Sequence, residues 1–85
     1  MRQFILYSRS YCHLCDDLLA ALEGLRIEYG FNVDVVDVDA DDTLVALYDE
    51  LVPVLMGRED DGRLLQLCHY HFDEAAVRSF LFGGD

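Results

Sequence analysis

The chain has 85 residues, a hydrophobic content of 53% and a formal net charge of −11, with 17 acidic residues against six arginines and no lysine. This length suits one domain, residues 1–85, and the lack of basic residues argues against a nucleic-acid binder or a protein that binds an anionic membrane surface. The longest apolar run, residues 51–56, is far below the about 20 residues that a transmembrane helix needs, so no membrane association is expected.

The first half of the chain predicts a β-α-β unit. The apolar and aromatic run 3–8 predicts a buried strand, and residues 33–38, which are β-branched and partly alternating, predict a second one. Between them, four leucines recur at spacings of four, four and three, which places them on one face of a helix. They are Leu14, Leu18, Leu22 and Leu25. Because the crossover of a β-α-β unit is right-handed, the two strands should be parallel neighbours.

The next segment predicts a second helix and a hairpin. Asp41 or Asp42 can cap a helix over about 43–50. Its apolar face is expected to comprise Leu44, Leu47, Tyr48 and Leu51. Strands at 54–56 and 63–68, joined by a polar turn, should then pair antiparallel.

A last helix is predicted after Asp73, which can cap it, and ends at Gly83 and Gly84. Its inward-facing residues are expected to be Ala76, Val77, Phe80 and Leu81. The resulting order, β-α-β-α-β-β-α, predicts an α/β domain with a four-stranded mixed sheet. Helices on both faces of that sheet would bury every apolar stripe.

The cysteine content indicates the redox setting. Three cysteines is an odd number, which a secreted disulfide scaffold rarely carries. No secretory signal is expected either, since Asp16 and Asp17 come before any suitable apolar segment. We therefore expect a reducing, cytoplasmic setting in which a pair of cysteines performs chemistry or binds a metal.

That pair is the C-x-x-C motif Cys12–Cys15, placed where the first strand passes to the first helix. A helix N-terminus stabilises a thiolate through its free N–H groups and its dipole. A spacing of three brings both sulfurs onto one face of the first turn. The alternatives are two core cysteines that are close by chance, or a metal site. The residues that could supply metal ligands are Cys12, His13, Cys15, Cys68, His69 and His71, although their spacing is not typical of structural zinc.

On its element order, its helix-opening C-x-x-C and its Val52-Pro53 before the third strand, the chain resembles the thioredoxin fold and, within it, the small glutaredoxin-like proteins. The resemblance covers nearly the whole chain. It implies a thiol–disulfide oxidoreductase in which Cys12 is the nucleophile and Cys15 resolves the mixed disulfide.

The resemblance also implies substrate-binding residues. Arg9 matches a basic residue that contacts a carboxylate of glutathione in glutaredoxins. Val52 and Pro53 match a valine and a cis-proline that lie beside the dithiol and offer backbone groups to a peptide-like substrate. Asp73 corresponds to the acidic residue that meets the γ-glutamyl amine of glutathione.

Five further side chains near the dithiol have two interpretations each. Tyr11 lines the substrate groove or packs against the first strand, and His13 stabilises the thiolate or is an exposed helix residue. Cys68 is expected to be a packed core thiol rather than a third redox partner. His69 and His71 lie in a loop that the fold brings towards the dithiol, where they contact substrate or are surface histidines.

Several positions depart from the glutaredoxin pattern. His13 and Leu14 replace the usual Pro and Tyr between the cysteines, Leu51 replaces a Thr, and residues 69–72 replace a Gly-Gly turn that receives glutathione. These changes are expected to reshape the glutathione pocket, and the acidic surface should slow the approach of this anion. Glutathione and a thioredoxin-reductase system are therefore alternative electron donors, and no bound cofactor is expected.

The predicted function is thus that of a monomeric oxidoreductase acting on protein or low-molecular-weight disulfides. Two other classes stay open. One is a metal or iron–sulfur carrier that uses Cys12 with Cys15 or with a second subunit. The other is an interaction module of the same fold in which the dithiol has no redox role.

Overall fold

The computed structural model describes residues 2–83, so the predicted helix end at Gly84 lies outside the described residues. The strands are β1 (Arg2–Ser8), β2 (Phe31–Asp37), β3 (Val54–Arg58) and β4 (Leu64–His69), and the helices are α1 (His13–Glu23), α2 (Asp42–Tyr48) and α3 (Glu74–Gly83). Short 3-10 turns follow α1 and β2. The order is the predicted β-α-β-α-β-β-α. None of the helices within residues 2–83 has the length and apolar character needed to cross a membrane.

The four strands form one sheet in the order β2-β1-β3-β4. β1 pairs parallel with β2, and β3 pairs antiparallel with both β1 and β4, which confirms the predicted mixed sheet. Ser8 pairs with Asp37, and Tyr7 pairs with Val54. The carboxyl ends of β1 and β2 therefore meet the beginning of β3 at one end of the sheet, which we call the dithiol end.

One face of the sheet packs against α1 and α3. Its core contains Phe4 and Leu6 of β1, Leu18 and Leu22 of α1, Leu55 of β3, and Val77 and Phe80 of α3. At the centre, the ring centroid of Phe4 lies 5.1 Å from that of Phe31 and 5.3 Å from that of Phe80. This packing of aromatic and branched side chains holds β1, the strand that leads to the C-x-x-C motif, against α1.

The opposite face carries the segment around α2. Ile5, Val54 and Met56 form a second buried cluster, against which Tyr48 and Leu51 pack. The Tyr48 ring also stacks on the ring of Tyr7, with a centroid separation of 4.6 Å. Helices therefore cover both faces of the sheet, as predicted.

Two leucines that were predicted to face inward are exposed instead, namely Leu14 and Leu47. In α1 the inward position is taken by Cys15, which is buried with Leu18 and Leu22. α2 has only seven residues and no fully buried side chain, so its apolar face is narrower than predicted and Leu47 remains in contact with solvent.

Candidate active site at the start of helix α1

Cys12 occupies the N-cap position of α1, between the end of β1 and the first turn of the helix. Its backbone is extended, and its Sγ accepts a hydrogen bond from the backbone N–H of Cys15 at 3.1 Å. Its carbonyl oxygen accepts from the N–H of Asp16, also at 3.1 Å. The sulfur of Cys12 thus lies where the unpaired N–H groups and the positive end of the helix dipole stabilise a thiolate.

Cys12 and Cys15 are joined by a disulfide, with their Cα atoms 5.2 Å apart. The two sulfurs differ in accessibility. Cys12 is only half-buried, whereas Cys15, in the first turn of α1, is 4% exposed. An incoming group therefore meets Cys12 first. A linked pair of this kind can exchange two electrons with another dithiol or disulfide.

Val52 and Pro53 lie at the dithiol end, immediately before β3, and the peptide bond between them is cis. Pro53 is buried, and its carbonyl oxygen accepts a hydrogen bond from the N–H of Tyr70 at 2.9 Å. The Tyr70 hydroxyl in turn donates to the carbonyl of Glu50. The segment after β4 is therefore anchored on Pro53, beside the dithiol end, and a substrate-binding role for Val52 and Pro53 stays a prediction.

Arg9 forms hydrogen bonds within the chain, and its contact with a substrate carboxylate stays a prediction. Its Nη2 lies 2.6 Å from Oδ1 of Asp39 and its Nε lies 3.2 Å from Oδ2 of the same residue. Its Nη1 lies 2.6 Å from Oδ1 of Asp49. These hydrogen bonds raise the pKa of Arg9 above its ordinary value, and the bond with Asp39 has the larger effect. Sequence reasoning did not identify Asp39 and Asp49 as site residues, because they lie 30 and 40 residues further along the chain.

Tyr11 and His13 flank Cys12, and both side chains are exposed. Tyr11 is fully exposed, so the alternative in which it packs against the first strand is wrong. Its φ of 59° lies in the left-handed region, where non-glycine residues are uncommon and are concentrated at functional sites. A contact between Tyr11 and substrate stays a prediction.

Cys68 and His69 are the last two residues of β4, so His69 does not lie in the predicted loop, because it pairs with Val54 of β3. His71 and Asp73 follow the strand. Asp73 caps α3 as predicted, because its Oδ1 accepts a hydrogen bond from the N–H of Ala76 at 3.0 Å. His69 and His71 are both exposed, and the ring of His69 packs edge-on against that of Tyr70. Both histidines are therefore surface residues, and their contact with substrate, like that of Asp73, stays a prediction.

Cys68 is half-buried on β4, opposite Leu55 of β3. Burial raises the pKa of its thiol above the ordinary value. The neighbouring Asp73 acts in both directions, since its backbone hydrogen bond lowers this pKa and its negative charge raises it. The thiolate of Cys68 is thus disfavoured, which is the opposite of what a nucleophile needs.

Within residues 2–83, no three histidine, cysteine, aspartate or glutamate side chains lie together as a metal site would require. The six side chains that the sequence offered as metal ligands are therefore not gathered into one set within this part of the chain.

A cysteine-alkylation experiment checks the environment of Cys68. In a Cys12→Ser/Cys15→Ser variant, Cys68 is the sole thiol, and its rate of alkylation by iodoacetamide is measured against pH by mass spectrometry. Because burial disfavours the thiolate, the midpoint of the profile should lie above the value of about 8.5 for a free thiol. The same variant unfolded in guanidinium is the control and should return to the free-thiol value. A folded-state midpoint at or below that value would contradict the expected burial.

The family profile of the Glutaredoxin-like domain (DUF836) matches residues 3–82. A protein from Nitrosomonas europaea, solved by solution NMR, is 32% identical, with 94% of this chain and 91% of that chain covered and a TM-score of 0.80. A protein from X. campestris, solved by X-ray methods, is 35% identical, with 96% and 99% covered and a TM-score of 0.66. Comparison with curated proteins gave no match.

The chain is also similar in fold to thioredoxins. A thioredoxin from Halobacterium salinarum is 22% identical, with 98% of this chain and 74% of that chain covered and a TM-score of 0.71. At this identity the likeness concerns the fold alone. The Cys12–Cys15 pair at the start of α1 supports a redox role on this fold. The match over residues 3–82 shows that the chain belongs to the glutaredoxin-like family of thioredoxin-fold proteins.

Proposed function

We propose that this protein is a thiol–disulfide oxidoreductase in which Cys12 is the attacking thiol and Cys15 the resolving thiol. The observation that carries the proposal is the difference between two linked sulfurs at one helix N-terminus. The sulfur of Cys12 is accessible and accepts a hydrogen bond from the backbone N–H of Cys15, whereas the Cys15 side chain is almost fully buried. Membership of the glutaredoxin-like family supports the same assignment.

In the reaction, the Cys12 thiolate attacks one sulfur of a substrate disulfide, and the other substrate sulfur leaves as a thiolate. Cys15, after losing its proton, then attacks the sulfur of Cys12, and the second substrate sulfur leaves. The substrate gains two electrons and two protons, and Cys12 and Cys15 become a disulfide. A thiol donor reverses these steps to restore the dithiol, and a reducing cytoplasm would supply such a donor.

The surroundings of Cys12 favour an extended, peptide-like substrate. Pro53 lies beside the dithiol end, and the exposed ring of Tyr11 directly precedes the nucleophile. An aromatic side chain in this position offers apolar contact area at a small entropic cost. We therefore include Tyr11, His13, Val52 and Pro53 in the substrate-binding surface of a protein that acts as a monomer.

A trapping experiment tests the roles of the two cysteines. Cys15→Ser/Cys68→Ser retains only Cys12, and Cys12→Ser/Cys68→Ser retains only Cys15. Each reduced variant is mixed with a synthetic peptide that contains one disulfide, and the mixed disulfide is followed by non-reducing mass spectrometry. The variant that retains Cys12 should form it about 100-fold faster, because only this sulfur is both accessible and stabilised as a thiolate.

The Cys68→Ser variant, with the dithiol intact, is the matched control and should pass through the mixed disulfide without accumulating it. Equal rates for the two single-thiol variants would overturn the assignment of roles. No mixed disulfide in either, together with stoichiometric zinc or iron in anaerobically purified protein, would replace the proposed redox function with metal binding.

A further inference from the structure

Among residues 2–83, Arg9 is the single arginine at the dithiol end of the sheet. It follows β1 directly and lies three residues before Cys12. The remaining arginines lie towards the opposite end of the sheet. They are at the start of β1, in contact with the first residue of β2, in contact with Glu28 shortly before β2, or at the end of β3 and in the hairpin that follows it. They are Arg2, Arg26, Arg58, Arg63 and Arg78. Arg9 is therefore the group that would attract an anionic substrate towards Cys12.

Its guanidinium is already occupied. Asp39 takes one edge through two hydrogen bonds, and Asp49 takes Nη1. We call these three residues the Arg9 triad. One positive and two negative charges leave the triad with a net charge of −1. Arg9 thus belongs to a group that is negative overall when a substrate approaches the dithiol end.

The two carboxylates are placed by the backbone as well as by Arg9. Asp39 lies in the 3-10 turn after β2, where its N–H donates to Oδ1 of Asp37 at 2.9 Å. Asp49 is the C-cap of α2, and its N–H donates to the carbonyl of Val45 at 2.9 Å. Since both carboxylates are pre-positioned, a carboxylate brought in by a small thiol must displace a partner that is already in place.

We infer that the Arg9 triad is a specificity determinant, which discriminates against disulfides of small carboxylate-bearing thiols and in favour of disulfides in neutral or basic peptide surroundings. The inference rests on the proposed redox function and deepens it by naming the substrate class. Asp39 and Asp49 act through Arg9 and through their charge. They are positioning residues, and neither takes part in sulfur exchange.

The test compares two disulfide probes of the same skeleton, oxidised glutathione and its ester in which every carboxylate is blocked. Each oxidises the reduced dithiol to the Cys12–Cys15 disulfide and releases two probe thiols. The second-order rate constants are measured by rapid quenching and alkylation of the remaining protein thiols. In the Asp39→Asn/Asp49→Asn variant Arg9 keeps its positive charge without acidic partners, so the rate with oxidised glutathione should rise about tenfold. The ester keeps its ammonium groups and is cationic, so its rate should fall when the charge of the triad changes from −1 to +1.

The β3–β4 hairpin supplies a matched control. Arg63 pairs there with Glu59 and Asp61, so Glu59→Gln/Asp61→Asn removes the same two charges from an equivalent triad far from the dithiol end. This variant should change the rate with oxidised glutathione less than about twofold, because exposed charges at that distance are screened. An equal gain in both variants would mean that net charge, and not the Arg9 triad, governs the selectivity.

Two other outcomes would also overturn the inference. A rate that rises equally for both probes would show that the triad positions the dithiol without selecting charge. An unchanged rate for oxidised glutathione in folded protein, verified by its melting temperature, would show that the triad has no effect. If the double variant does not fold, Asp49→Asn alone leaves the two bonds to Asp39 intact and should give a smaller gain in the same direction. If neither probe oxidises the wild-type dithiol, the proposed redox function itself is wrong.

Discussion

Replacing Phe4 by alanine is expected to lower the free energy of unfolding by about 3–5 kcal/mol. Phe4 is fully buried in the central strand β1, and its ring is flanked by Phe31 and Phe80. The truncation removes the burial of the ring and its contacts with the two neighbouring rings, and it leaves a cavity in the core. Since small domains have total stabilities of about 5–15 kcal/mol, this loss is a large fraction of the free energy that holds the fold together. Urea denaturation of the oxidised protein measures the change.

Phe82 provides the matched control for this substitution. It lies in α3 but is 85% exposed. The same change, Phe82→Ala, should therefore alter the free energy of unfolding by no more than about 0.5 kcal/mol. Similar losses for Phe4→Ala and Phe82→Ala would contradict the placement of Phe4 at the centre of the core.

Replacing Gly57 by alanine is expected to cost about 2–3 kcal/mol of stability. Gly57 lies in β3 under the ring of Phe80, and an added Cβ would come within 2.7 Å of two ring carbons. The ring belongs to the core and is itself in contact with Phe4, so it cannot move aside without disturbing that packing. The melting temperature should fall, and urea denaturation gives the loss in free energy.

Two further variants separate steric conflict from a general effect of changing glycine. Gly24 has helical backbone angles and no heavy atom within 4 Å of an added Cβ, so Gly24→Ala should be neutral or stabilise by up to about 1 kcal/mol. In the double variant Gly57→Ala/Phe80→Leu, the smaller side chain relieves the clash. Its loss should be smaller than the sum of the two single losses, and strict additivity would rule out the Gly57–Phe80 contact as the cause.

The fold followed from local patterns because each one depends on near neighbours in the chain. The β-branched and apolar runs marked the strands, and leucines at helical spacing marked α1. The crossover between 3–8 and 33–38 then required parallel pairing, and the short polar turn after β3 required an antiparallel hairpin. The ends of the strands depend also on pairing with distant segments. β3 runs to Arg58, beyond the predicted end at 56, because pairing with β1 and β4 extends it.

Helical periodicity alone did not predict which side chains at the start of α1 are buried. Leu14 and Cys15 lie roughly 50° on either side of the stripe formed by Leu18, Leu22 and Leu25, so spacing alone does not decide which of them faces the sheet. The packed structure buries Cys15 and exposes Leu14. This choice also determines which sulfur of the pair is accessible, and it depends on how the helix lies across β1 and β3.

An acidic domain with a cysteine pair at the start of a helix could be predicted from the sequence, because the position of Cys12 before α1 and the capping role of Asp73 are local properties of the chain. The carboxylates that pair with Arg9 could be identified only from the tertiary structure. Asp39 and Asp49 lie 30 and 40 residues away from Arg9 and reach it because β2 and α2 end at the dithiol end. The net charge of −11 is spread along the chain, but only the packed sheet places two of its carboxylates on Arg9. Charge pairing at such distances depends on which segments meet in space, which local spacing does not encode.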